Sequence, residues 1–266
     1  MNEDSQDQTI RMTVPCGQAF QAETRYSRHR MTPHMLDWEH MPPTYKRYQG
    51  TPVLGLPVPE PPGAIDPGLW PCIRSRRSRR TFSSGPLSLA QISTLLWASA
   101  GITWSEPEQY LRSAPSAGAL YPIETYIAVH AVEDLPSGLY HYRLVGVDDR
   151  GRLTREGGHS LEQLSTPDIR QGLAAAALDQ DIAGDAGAVF IWTAVLARSV
   201  WKYRQRAYRY VYLDAGHVAQ NLLLAAEALN LAACPIAAFY DDEVASLLGV
   251  DIDTEAPLYM VVVGRE

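Results

Sequence analysis

Apolar residues recur along this chain with two different periods, and each period marks an element. Ile92, Leu95 and Leu96 fall at helical spacing behind Ser88-Leu89-Ala90-Gln91, which fits a capping box with Ser88 as cap and Gln91 reaching back. Gly101 stands where that helix should end. Glu124 to His130 alternates with the period of a strand, and Gly138 to Leu144 with Gly151 to Glu156 reads as a hairpin-type pair. Gly187 to Leu196 is a near-continuous apolar run, as a strand covered on both faces requires. From about Tyr208 to Leu229 the apolar positions run nearly all round a helix, which predicts burial in the core or at a subunit contact. Asn230 can end this helix in the left-handed conformation. A short segment, Leu231 to Ala238, precedes a helix capped by Asp241 or Asp242 and stopped by Gly249, and Leu258 to Val263 is a final strand. The pattern is that of one α+β domain, with helices on a sheet and a trailing strand.

The N-terminal quarter follows a different grammar. The first 20 or so residues are polar, and the stretch from Glu23 to Pro71 is rich in Pro, His, Tyr and Trp, with Pro42-Pro43, Pro57, Pro59 and Pro61-Pro62. It reads as an extended arm, residues 1–70, whose Trp38, Tyr45 and Tyr48 wrap against something, ahead of a regular domain over residues 71–266.

Composition narrows the function classes. With 266 residues, 46% of them hydrophobic, the chain can bury a substantial core. A formal net charge of -7 argues against general nucleic-acid binding. The three cysteines are far apart, and no Cys/His cluster suggests a metal. No signal peptide and no membrane-spanning run is recognisable, so the expected setting is the cytoplasm.

Against that acidic background, five arginines between positions 74 and 80 need a specific anion. Guanidinium forks match phosphate oxygens, and Ser78 adds a hydroxyl donor. The segment Ser113 to Glu124 is rich in small residues and permits close approach of a flat ligand to backbone. Lys202-Tyr203 lies beside Arg204, Arg206 and Arg209, and a lysine among cations can serve as a base or simply face solvent. Pro235 to Ala238 could lay backbone N–H groups along a planar ring. His217 reads as a hydrogen-bonded core residue rather than a catalytic one.

Taken in order, these segments resemble the nitroreductase superfamily of FMN enzymes, in its SagB-type dehydrogenase branch. The matching text is Arg76 to Phe82, Ser116 to Pro122, Lys202-Tyr203 with Tyr208-Arg209-Tyr210, Asp214 to Leu222, Phe239 to Val244 and Pro257 to Arg265. Tyr26-Ser27-Arg28, Leu36-Asp37-Trp38 and Tyr45 to Tyr48 extend the likeness into the arm. The resemblance implies an α+β fold, a mostly antiparallel sheet flanked by helices, in an interlocked homodimer with FMN at the interface. It implies that Arg76, Arg77 and Ser78 hold the phosphate and ribityl chain, with Arg265 closing on the phosphate and Arg80 near the pyrimidine end. Ser116, Gly118, Ala119 and Leu120 would line the other side of the ribityl chain and ring. Pro235, Ala237 and Ala238 would cover one ring face, where relatives often carry glycines. Lys202 and Tyr203 would move the proton.

The function so implied is dehydrogenation of a thiazoline- or oxazoline-type heterocycle, or another amino-acid-derived substrate, in peptide natural-product biosynthesis. Oxygen would reoxidise the flavin, and a cyclodehydratase would be the partner. The alternatives are an NAD(P)H-dependent nitro or quinone reductase on the same scaffold, and a non-catalytic scaffold subunit of a peptide-modifying complex.

Overall fold

A computed structural model describes residues 15–27, 34–59, 67–106, 109–144 and 158–266. The chain forms two compact units, residues 1–35 and 36–266. In the first, helix α1 (Cys16–Glu23) ends where Thr24 N–H bonds Phe20 O at 3.1 Å.

In the second unit the helices are α2 (Leu69–Ser75), α3 (Leu89–Ala100), α4 (Arg170–Ala176), α5 (Ile182–Asp185), α6 (Leu196–Tyr203), α7 (Ala207–Ala228) and α8 (Asp241–Leu248). The strands are β1 (Val53–Gly55), β2 (Ile102–Glu106), β3 (Gln109–Arg112), β4 (Ile123–Val129), β5 (Gly138–Leu144), β6 (His159–Ser165), β7 (Ala188–Val195), β8 (Leu231–Ile236) and β9 (Glu255–Arg265). Seven strands make one sheet in the order β1-β6-β5-β4-β7-β9-β8, every neighbouring pair antiparallel. Strands β2 and β3 form a separate hairpin.

Strand alternation sorts the core into two halves. Ile123, Ile127, Phe190, Trp192, Val261 and Val263 face one way, and pack with Leu95 and Leu96 of α3 and Val218 and Leu222 of α7. Tyr126, Ala128, Val189, Ile191, Met260 and Val262 face the other, against Leu173 of α4 and Val244 and Leu248 of α8. With helices on both faces, β7 has no polar side and reads as one apolar run. Burying a side chain such as Trp192 contributes several kcal/mol, so truncating it to Ala costs about 3–5 kcal/mol.

The helix signals are realised in detail. Ser88 Oγ accepts from Gln91 N–H at 3.1 Å, and Gln91 Oε1 accepts from Ser88 N–H at 2.9 Å. Gly101 ends α3 in an extended rather than a left-handed conformation; its value is space, since a methyl group there would sit 2.3 Å from the Trp97 ring. Asn230 takes the left-handed conformation after α7 at φ 55, and Gly249 does so after α8 at φ 68.

Four expectations change. The partner of β5 is β6, beginning at His159; Gly151 to Glu156 lie outside the described residues, as do Arg28 and Pro61-Pro62. Leu231 to Ile236 is a strand pairing the C-terminal strand, an edge position where Pro235 lacks no essential donor. Helix α8 starts from Tyr240 without a side-chain cap, and Asp241, Asp242 and Glu243 favour the positive helix end through charge in its first turn. His217 is exposed on α7, because its neighbours Val218 and Ala219 take the buried face.

The arm from residue 36 is ordered against the sheet. Its Val53–Gly55 pairs Ser160, Leu161 and Glu162 of β6 as an edge strand. Trp38 stacks edge-on against Trp201 at 5.1 Å, and Trp201 Nε1 donates to Asp37 O at 2.6 Å.

Candidate functional site

The arginine run leaves the C-terminal end of α2 as an extended segment beside the sheet edge. Arg79 N–H bonds Ala233 O of β8 at 3.0 Å, and Ser83 N–H bonds Arg265 O of β9 at 3.0 Å. Arg76 to Arg80 and Arg265 therefore lie along the same edge as Pro235. Within the run the charges have different fates. Arg79 donates to Glu227 Oε2 at 2.6 Å and lies 3.0 Å from a Glu266 carboxylate oxygen, so its charge is matched inside the fold. Among the described residues Arg77 donates only to the carbonyls of Arg74 and Arg76, at 2.9 and 2.8 Å. Arg80 is exposed and forms no ion pair among the described residues. Ser78 and Arg265 are exposed too, and Ala237 and Ala238 follow β8 as an exposed loop whose Ala238 O accepts from Gln180. Donors without carboxylates of their own fit an incoming phosphate.

A second cluster forms where η-type turn Ala117–Ala119 meets α6 and α7. Ser116 Oγ donates to Asp214 Oδ2 at 2.6 Å and accepts from Tyr121 N–H at 3.0 Å. Ala117 N–H reaches Asp214 Oδ1 at 3.3 Å. Burial pushes the Asp214 carboxyl up, and these two donors pull it partly back. Gly118 has φ 66, and a methyl group there would lie 2.5 Å from Tyr203 Oη and 3.0 Å from Lys202 Nζ. Glycine suits this turn, since a side chain there would be strained at positive φ and would displace the ends of Lys202 and Tyr203. Leu120 is buried beneath it, and Ala119 also has positive φ. Tyr203 stacks edge-on against Tyr210 at 4.9 Å. Burial, then the nearby Tyr210 and Asp214, hold its hydroxyl above the usual phenol range, so it stays a donor at neutral pH.

The candidate residues thus fall into two groups that one chain keeps apart. Asp214 holds one and Glu227 the other, both on α7. Thirteen residue steps of helix, from Asp214 to Glu227, separate them by about 20 Å along the axis, on different sides of it.

A third assembly, under the arm, carried no signal as a site. His141 bridges two carboxylates, Glu124 at 3.0 Å and Glu162 at 2.8 Å. Arg198 binds Glu124 at 2.6 Å, Pro43 O at 2.7 Å and Tyr121 O at 3.1 Å. Lys46 bonds Glu255 at 2.6 Å and Tyr126 Oη at 2.8 Å. Burial by itself raises Glu124, but Arg198, with His141 and Arg112, overrides it and holds the carboxyl at about 2. The visible clue was a charged residue inside otherwise buried strand runs, Glu124 in β4 and His141 in β5. Among the described residues no cluster of metal-ligating side chains exists, and no helix is long and apolar enough to cross a membrane.

Comparison with known proteins decides the family. The Nitroreductase family profile matches residues 73–265. The chain belongs to the nitroreductase family. MJ1384 of Methanocaldococcus jannaschii, named as a nitroreductase, is 36% identical over 191 residues, 72% of this chain and 87% of that protein. The trifolitoxin-processing protein TfxB of Rhizobium leguminosarum bv. trifolii is 30% identical over 67% of this chain, which spans only 48% of TfxB. That relative bears out the branch expected from the motifs. A crystal structure from Anabaena variabilis, described as a nitroreductase, superposes with a TM-score of 0.71 at 28% identity, covering 92% of this chain and 45% of that one. The expected α+β fold with its antiparallel sheet is borne out. This chain therefore spans about half the length of two of these nitroreductase-family relatives.

Proposed function

We propose that this protein is an FMN-dependent dehydrogenase of a thiazoline- or oxazoline-type heterocycle or related amino-acid-derived substrate, acting in peptide natural-product biosynthesis. The observation that carries the reading is the closeness of Gly118 to both Lys202 and Tyr203, whose side-chain ends a methyl group there would meet. It joins the small-residue segment to the proton-handling pair in a family of oxidoreductases, one of whose members processes the peptide trifolitoxin.

FMN, when bound, supplies the two-electron acceptor for hydride from the substrate. Arg76, Arg77, Ser78 and Arg265 would hold its phosphate and ribityl chain, and Arg80 would lie near its pyrimidine end, where a guanidinium favours negative charge. Pro235, Ala237 and Ala238 would cover one ring face. Ser116, Gly118, Ala119 and Leu120 would line the other side. Lys202 takes the carbon-bound proton, and Tyr203, kept protonated by its surroundings, orients the substrate by hydrogen bonding.

The separation of the two groups on α7 supports a site shared between two copies of the chain, the arginine edge of one facing the Ser116–Lys202 cluster of the other. Exposed apolar side chains point to the same contact: Leu69, Trp70 and Ile73 on α2, and Tyr212 and Leu213 on α7, the last two 58% and 60% exposed. A second copy covers them. Residues 1–70 form an N-terminal arm and residues 71–266 the FMN-binding domain. The azoline comes from a cyclodehydratase partner, and the reaction runs in a reducing cytoplasm, where Cys16, Cys72 and Cys234 stay free thiols.

Stopped-flow reduction of the FMN-loaded protein by a peptidyl thiazoline tests the reading. Wild type reduces its flavin on mixing; Lys202→Ala keeps FMN but slows reduction about 10²- to 10⁴-fold. Rapid reduction by NAD(P)H with no response to thiazoline would instead identify a nitro or quinone reductase. Failure to bind flavin would identify a scaffold subunit.

A further inference from the structure

Between the arm and the sheet lies a small, partly open cleft lined by Tyr45, Lys46, Arg112, Glu124 and Tyr142 among others. A second reaches from Arg112 to Ser116 and Asp214. Ala100, Arg112 and Ile123 line both, so the Arg112 side chain stands in their common wall.

The charges around it are already assigned. Lys46 is matched by Glu255 and Arg198 by Glu124, whose other oxygen bonds His141. Glu124 is close enough to favour the Arg112 charge but is engaged elsewhere. Among the described residues Arg112 forms no ion pair, and its buried Nε has no hydrogen-bond partner. Its guanidinium donates to the Tyr45 side chain, and lies 5.5 Å from that ring's centroid and 4.5 Å from that of Tyr121. The backbone is fixed by Tyr121, whose Oη accepts Arg112 N–H at 3.1 Å. Burial works against the charge and pulls its pKa down. A cation held between two aromatic rings, against desolvation and without a carboxylate of its own, is stabilised by an anion arriving with a ligand.

We infer that Arg112 is the seat of a carboxylate-binding subsite, which takes a free carboxylate of the substrate. The rest of the ligand then extends along the second cleft toward Ser116 and Asp214. The guanidinium fork matches a carboxylate with two parallel hydrogen bonds. This narrows the substrate class of the dehydrogenase proposed above, and rests on that reading. The acid is either that of an amino-acid-sized heterocycle or the C-terminal carboxylate of a peptide ending in one.

Calorimetric titration of the full chain tests it with thiazole-4-carboxylate, already aromatic and unable to lose hydride, beside its primary carboxamide of nearly the same shape. The acid should bind at least tenfold more tightly than the amide. Arg112→Gln should abolish that preference, and Arg112→Lys should keep part of it. Should Arg112→Gln fail to fold, Tyr45→Phe, which loosens the guanidinium and keeps the cation, should weaken the acid and leave the amide unchanged. Equal binding of acid and amide to wild type, binding of neither, or a preference that survives in Arg112→Gln would overturn the subsite. An N-acylated peptide ending in the same acid separates the two sources: tighter binding than the free acid supports a peptide C-terminus, and weaker binding supports the small acid. Flavin reduction is not read, so a chain that binds the acid but oxidises nothing would refute the dehydrogenase and leave the subsite standing.

Discussion

Two charged regions of this molecule differ in one respect. Under the arm, Glu124, His141, Glu162, Arg198 and Glu255 are buried, Lys46 is half-buried, and they are matched with one another. Along the sheet edge, Arg77 and Arg80 are exposed and meet no carboxylate among the described residues. Charge that the fold satisfies internally holds the fold together; charge that it leaves unsatisfied is available to a ligand. Arg198 shows the first role most fully, since its guanidinium ties β4 through Glu124, the turn at Tyr121 and the arm at Pro43.

The sharpest way to break the comparison is Arg198→Ala. It leaves Glu124 buried without its strongest partner and should lower stability by about 3–5 kcal/mol, read by urea or thermal unfolding. A variant as stable as wild type would remove the structural role of the matched region.

Acid unfolding probes the same region through Glu124. Its folded pKa of about 2 lies below the ordinary 4.5, so its contribution is present above that ordinary value and is lost as pH falls toward 2. A shift of that size amounts to about 3 kcal/mol. Unfolding midpoints across this range should fall less steeply in Glu124→Gln than in wild type. The raised pKa of His141 works in the opposite direction: burial is outweighed by Glu124 and Glu162, and its contribution is full below the ordinary histidine value and lost as pH rises through the raised one.

The arginine run contains the comparison in miniature. Arg79, paired with Glu227 and partly exposed, should lose about 1 kcal/mol on replacement by Ala. Arg80→Ala should change stability by no more than about 0.5 kcal/mol, measured in the protein without flavin. Equal losses at the two positions would show that exposure and pairing do not separate their roles.

Much of the fold was legible because local signals and the tertiary structure agree. The Ser88–Gln91 box, the apolar run of β7 and the stop at Gly249 each have one cause, and it is visible within a few residues. The arginine run and Lys202-Tyr203 stood out because charge was concentrated where composition did not require it. The matched network did not stand out, since Lys46, Glu124, His141, Glu162, Arg198 and Glu255 come from six distant segments and each looks ordinary in its own. Arg112 was missed for the same reason: its lack of a partner is a property of two cavities rather than of a motif.

The measurement that bears most directly on the whole account is FMN binding to the full chain and to Arg76→Ala/Arg80→Ala, followed by flavin fluorescence, with thermal unfolding of both flavin-free proteins alongside. Wild type should hold FMN, and the double variant should bind it at least tenfold more weakly while unfolding at the same temperature. A wild-type chain that takes up no FMN, or a double variant that binds it equally well, would contradict the assignment of Arg76 and Arg80 to the flavin.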